Sequence, residues 1–143
     1  MKKAVVAISL ILMLIFLISC QNKSVYNGKL DGVFKLNGEF KCKGHDEAGN
    51  SVEMTIKGTK FRAEAKLLDG RIINSVGDTT NCMHGWYKNQ NAGEKVCITK
   101  EELDKGVSIL EKSKDAGILV ECEKFKVEDN FEVPEGINFV QAA

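Results

Sequence analysis

A chain of 143 residues with 20 basic and 20 acidic side chains is long enough for one domain with a proper core and has a formal net charge of zero. No basic cluster stands out along it, which argues against a nucleic-acid partner. It also lacks a serine elbow, a phosphate loop or a Cys-His nucleophile arrangement, so no catalytic residues are expected.

The chain begins with Lys2 and Lys3 ahead of an apolar run from Ala4 to Ile18. A basic start, a short apolar stretch and a small residue at its end mark a secretory signal. The run of about 15 residues is short of the ~20 that a spanning helix needs. Its last tetrad, Leu17-Ile18-Ser19-Cys20, resembles the lipobox of prokaryotic lipoproteins. That resemblance implies removal of residues 1–19 as a signal peptide and attachment of a diacylglyceryl group, with acyl chains such as palmitate, to Cys20. Two or more acyl chains hold a protein almost permanently, each buried methylene contributing ~0.8 kcal/mol. The mature chain would keep 124 of the 143 residues, with 18 basic side chains against 20 acidic. Gln21 to Asn27 are polar and lack periodicity, so residues 20–27 are expected to form a lipidated tether. Residues 28–143 would then be a single domain in the cell envelope, membrane-bound through the lipid and facing the periplasm or the exterior.

Four cysteines remain beyond the tether: Cys42, Cys82, Cys97 and Cys122. An even count in an exported chain argues for two disulfides, and four cysteines allow three pairings. His45 lies three residues after Cys42 and His84 two after Cys82. Structural zinc sites show two tight pairs of ligands, absent here, so neither a metal nor another cofactor is expected.

From Gly28 to Leu36, the spacing of Leu30, Val33, Phe34 and Leu36 predicts a helix of two turns, stopped by Asn37-Gly38. From Glu39 the period becomes two. Phe40 and Cys42, then Val52, Met54 and Ile56, then Phe61, Ala63, Ala65 and Leu67 alternate with polar residues, which predicts antiparallel strands with one dry and one wet face. Gly58-Thr59 suits a two-residue turn with glycine first. It would pair Ile56 with Phe61, Met54 with Ala63 and Val52 with Ala65, placing every apolar residue on one side. A preceding loop over Gly44 to Asn50 would set Cys42 against Val52 and Phe40 against Met54.

Asp69-Gly70 reads as a two-residue hairpin turn into a fourth strand, Arg71 to Val76. Gly77-Asp78 then turns into Asn81 to Tyr87, with the face of Trp86 undetermined, and Glu94 to Ile98 makes a sixth strand. Cys82 and Cys97 sit near-symmetrically about the intervening loop, where a cross-strand bridge is sterically natural. By subtraction, Cys42 would join Cys122. Thr99 and Glu102 form a capping box that opens one helix over residues 100–114, with Leu103, Val107 and Leu110 as its apolar stripe. Ile118 to Phe125 reads as a seventh strand, and the tail from Val127 to Val140 as irregular or edge-like, interrupted by Pro134. The expected fold is therefore α+β: a curved antiparallel sheet of about seven strands with one or two helices over its apolar face.

The stretches "FKCKG" (40–44), "MTIKGTKFRAEA" (54–65), "LLDGRIINS" (67–75), "GWYKN" (85–89) and "VECEKFKVEDNFEVPEGINFV" (120–140) resemble small prokaryotic lipoproteins of the lipoprotein-carrier-like (LolA/LolB-like) superfamily. The most specific part is the tail pattern carried by Phe131, Pro134, Ile137 and Phe139. The resemblance implies a half-barrel with a helix-lidded concave face, and it supports the Cys42–Cys122 pairing. Two readings of function follow. In the first, the concavity holds an acyl chain or other hydrophobic ligand on Phe40, Val52, Met54, Ile56, Phe61, Ala63, Ala65, Leu67, Leu103, Val107 and Leu110. In the second, those side chains fill the core and the domain is a structural or interaction module. His45, Asp46, Glu47 and Asp69 read as solvated loop residues and His84 as structural, while Trp86 and Tyr87 read as core, with the lining of a ligand groove as the alternative.

Overall fold

The computed structural model describes residues 24–115 and 117–142. The signal peptide expected over residues 1–19 and the lipidation expected at Cys20 lie outside the described residues. In chain order the elements are β1 (Tyr26–Lys29), α1 (Leu30–Phe34), β2 (Glu39–His45), β3 (Ser51–Lys57), β4 (Lys60–Lys66), β5 (Ile72–Asp78), β6 (Cys82–Tyr87), β7 (Ala92–Cys97), α2 (Lys100–Asp104), α3 (Ile109–Lys112), β8 (Leu119–Lys124) and β9 (Asn138–Gln141). The strands make one open sheet in the order β1-β8-β2-β3-β4-β5-β6-β7-β9. It is a sheet-dominated α+β fold. Among the described residues nine strands replace the expected seven, and the sheet is mixed, because β9 runs parallel to β7. The additions are the two edges. Tyr26 and Asn27, read as the end of the tether, open β1 and pair with Cys122 and Glu121 of β8.

The hairpin of β3 and β4 has the expected register, with Ile56 opposite Phe61, Met54 opposite Ala63 and Val52 opposite Ala65. Gly58 is at φ +61° and Thr59 is not in the left-handed region, as a glycine-first turn requires. The β2–β3 register differs from expectation by two residues: Cys42 faces Met54, Phe40 faces Ile56, and Gly44 faces Val52. The loop is tighter than Gly44 to Asn50. Asp46 N donates to Asn50 O, Asn50 N donates to Asp46 Oδ1 at 2.9 Å, and β2 runs on to His45.

The β4–β5 turn is also longer than Asp69-Gly70 alone. Leu67 N donates to Arg71 O, Gly70 N donates to Leu67 O, and only Gly70 has positive φ, so three residues span the turn and β5 starts at Ile72. Gly77, expected in a turn, lies inside β5 opposite Phe61. A Cβ there would sit 2.9 Å from Phe61 Cζ, so the missing side chain is what lets the ring lie across the strand.

The single helix expected over 100–114 is two short ones. Thr99 caps α2, with Glu102 returning the bond to Thr99 N as a capping box, but Gly106 at φ +77° ends the run. Ser108 then starts α3 with a second capping box, to Glu111. Leu103 and Leu110 therefore share no stripe: Leu103 is 41% exposed, while Ile109 and Leu110 are buried. Ser108→Ala is expected to destabilise the fold by about 1 kcal/mol in urea titration, the usual worth of such a cap.

One buried cluster joins Phe40 and Cys42 of β2, Met54 and Ile56 of β3, Phe61 of β4 and Val120 and Cys122 of β8 to Leu30 and Val33 of α1 and Ile109 and Leu110 of α3. The opposite face, expected to be wet, is partly dry. Val76 and Trp86 are buried there, because the chain after β8 crosses that face before forming β9. Val127 N donates to Glu39 Oε2 at 3.0 Å, Arg62 Nη1 donates to Asn130 Oδ1 at 3.0 Å, and Phe139 meets Trp86 edge-on. Trp86 pairs with Asn74, which in turn pairs with Glu64, so alternation puts it opposite the Phe61 face.

Candidate functional site

The residues assigned to a ligand face divide into three groups. Phe40, Val52, Met54, Ile56, Phe61 and Leu110 are buried. Ala63, Ala65, Leu67 and Val107 are partly buried, and Leu103 is exposed. The strand members do share one face, as alternation required. That face is occupied by the protein's own side chains: Phe34 of α1 packs edge-on against Phe61 at 5.8 Å between ring centroids.

Apolar surface open to solvent lies beside that cluster. A groove of about 320 Å³ runs between α1 and the α2–α3 segment, lined by Phe34, Leu103, Val107 and Leu110 with Asp31, Lys35 and Glu111 at its rim. Leu103, Val107 and Leu110 thus meet at a surface groove, and of the three only Leu110 also joins the strand residues in the buried cluster. Sequence reasoning missed Phe34 as a lining residue and Ile109 as the buried helix residue. A signal for the latter was present: Gly106 followed by Ser108 and Glu111 spells a stop and a fresh capping box.

The cysteines pair as expected. Cys42 stands opposite Cys122 across β2 and β8, and Cys82 opposite Cys97 across β6 and β7, and both pairs are bridged. The cysteines are thereby committed to structure. Each bridge crosses adjacent strands at Cα separations of 4.1 and 4.0 Å.

Several polar groups fasten loops, and Asp115 is shifted in the opposite direction. Asp46, held below the ordinary carboxylate range chiefly by the Asn50 side chain, closes the β2–β3 loop. Asp69 is likewise lowered by Arg71, whose N–H and guanidinium both donate to it, and the guanidinium stacks 5.0 Å from the Tyr87 ring. Glu102 is lowered to about 2 by Thr99 and then by Lys112, the groups it caps and pairs with. His84 is lowered by burial and by Lys95 opposite it; its ring lies 4.9 Å from Phe139, a structural setting.

Asp115 goes the other way. Burial raises its carboxyl pKa and nearby Asp46 adds to this, against the Ser113 hydroxyl that donates to it at 2.6 Å. A carboxyl raised in the folded state weakens folding as pH climbs past its unfolded value of ~3.9. Asp115→Asn should therefore be more stable than wild type at neutral pH, with the difference closing below about pH 4. Thermal unfolding across pH 3–8 would show it (expected range set by carboxylate titration).

No protein-family model, no curated protein and no solved structure matches this chain. The lipoprotein-carrier resemblance rests on its short motifs alone.

Proposed function

We propose that this chain is an exported, lipid-anchored protein of the cell envelope, without catalytic activity, whose filled domain serves as an interaction module at the membrane surface. The anchor reading is supported by the basic start, the apolar run and the Leu17-Ile18-Ser19-Cys20 tetrad. Two disulfides fit an oxidising compartment. In this reading the sheet curves about its apolar face as a half-barrel, with α1 and α3 over the concave side. The loops Asp46–Asn50, Leu67–Arg71 and Tyr87–Asn91 all lie at the end of the sheet away from Ser24, where they would meet a partner in the periplasm or outside the cell.

The observation that favours an interaction module over a ligand carrier is the occupied interior: Phe40, Met54, Ile56 and Phe61 pack with Leu30, Val33, Ile109 and Leu110 in one buried cluster. A second reading, a carrier of a hydrophobic ligand, draws on the open groove of Phe34, Leu103, Val107 and Leu110. Organic extraction of the purified chain and titration with a fluorescent fatty acid separate the two. The module reading expects no extractable lipid and no saturable uptake. Stoichiometric lipid, with uptake lost in Leu103→Glu, would establish the carrier instead.

A further inference from the structure

The place where the chain enters the sheet fixes which end of the domain lies nearest Cys20. Val25 N donates to Cys122 O at 2.8 Å, and Tyr26 stands opposite Cys122, so the chain comes in beside the last residues of β8. Cys20 is four residues before Ser24, at most about 14 Å of extended chain at ~3.5 Å per residue. Whatever surface receives the acyl groups, this end of the sheet is held close to it.

That end carries a pair of exposed apolar side chains, as the far end does with Leu68 and Leu119. Leu36, just after α1, is 49% exposed, and Phe125, just after β8, is 46% exposed. Both line one open groove of about 480 Å³ together with Lys124 and Lys126. Their neighbourhood is rich in ammonium groups. Lys41 lies 5.6 Å from the Phe125 ring centroid, Lys35 precedes Leu36, and Lys60 projects from the β3–β4 hairpin at the same end. Of the acidic residues here, Asp31 is matched by Lys35 at 3.9 Å and Glu39 by Lys57 at 4.0 Å, Asp78 stands opposite Lys60 and accepts from Thr80, and Glu123 stands opposite Lys41. Among the described residues, Lys60, Lys124 and Lys126 form no ion pair with an acidic group.

We propose that this end is a second membrane contact, with an anionic phospholipid surface as its partner. The proposal rests on the Cys20 anchor and adds an orientation to it. Leu36 and Phe125 enter the headgroup boundary while Lys60, Lys124 and Lys126 keep their ammonium groups among the phosphates, their methylene stems covering apolar surface. Anionic lipid attracts each such lysine, and the attraction fades with salt over a Debye length. A lone flexible tether would let the domain tumble above the bilayer; this contact holds it upright, with the loops at the far end of the sheet pointing away.

The test uses the full-length chain with its natural N-terminus, reconstituted into phosphatidylcholine vesicles with or without phosphatidylglycerol. A membrane-impermeant amine-acylating reagent then reports the reactivity of each lysine by mass spectrometry. Lys60 and Lys66 make an internal comparison, since they stand at opposite ends of β4. With phosphatidylglycerol, the reactivity of Lys60, Lys124 and Lys126 should fall about fivefold relative to Lys66 and Lys88, and recover at high salt. The double variant Leu36→Ser, Phe125→Ser, both half-exposed and so expected to fold normally, should lose most of that protection. Equal reactivity at the two ends in anionic vesicles would overturn the proposal, whether or not the variant folds. The mass of the N-terminal peptide reports acylation of Cys20 separately, so failure of the anchor and failure of the orientation are distinguishable.

Discussion

The double variant Cys42→Ala, Cys122→Ala should lose about 4–5 kcal/mol of stability, the chain-entropy value for a bridge that closes a loop of this size. Its sequence separation is 80 residues, against 15 for Cys82–Cys97, for which the same model gives about 3 kcal/mol. Location adds to the difference. Cys42 and Cys122 are buried within the main cluster, so removing their sulfurs also removes packing, whereas Cys82 and Cys97 are only partly buried at the β6–β7 hairpin. For a domain with a total stability of 5–15 kcal/mol, losing the first bridge approaches unfolding at 37 °C, while losing the second leaves a folded protein. Urea denaturation of the two double variants checks the order. A smaller loss for Cys42–Cys122 than for Cys82–Cys97 would mean that the unfolded chain is not the loose polymer the loop argument assumes.

The second large effect is Phe61→Ala, expected to destabilise by about 3–5 kcal/mol. Phe61 is buried where β4 meets Gly77 of β5 and Phe34 of α1, so truncation empties a site walled by three elements. Leu103→Ala is the informative contrast. On a continuous helix its stripe position would make it a core residue, with a loss of roughly 2–4 kcal/mol. Exposed on α2 beside the groove, it should change stability by about 1 kcal/mol or less. A loss at Leu103 equal to that at Phe61 would show that α2 packs more deeply than the fold described here.

These contrasts mark what was legible in the residues. The β3–β4 register could be read because a glycine-first turn fixed its origin and alternation fixed its parity. The β2–β3 pairing was off by two because alternation is blind to a shift of two: either register leaves Phe40 and Cys42 on the apolar face. The Cys82–Cys97 bridge was visible as symmetry about a loop. The edges were not. Tyr26-Asn27-Gly28-Lys29 has no apolar alternation, and β1 is held by backbone bonds to β8. Trp86 stayed unassigned because the dry patch around it is built by a strap far along the chain, where Val127, Asn130 and Phe139 reach Glu39, Arg62 and His84. Alternation put the strand residues of the candidate site on one face without assigning that face a role. Periodicity shows that a face is apolar, and only packing shows whether the protein fills that face itself.

Intact-mass analysis of the protein isolated from its native membrane bears most directly on the central proposal of a lipid-anchored module. The expected product begins at Cys20 and carries a diacylglyceryl group with its acyl chains. A chain that retains Met1, or one cleaved without acylation, would contradict it.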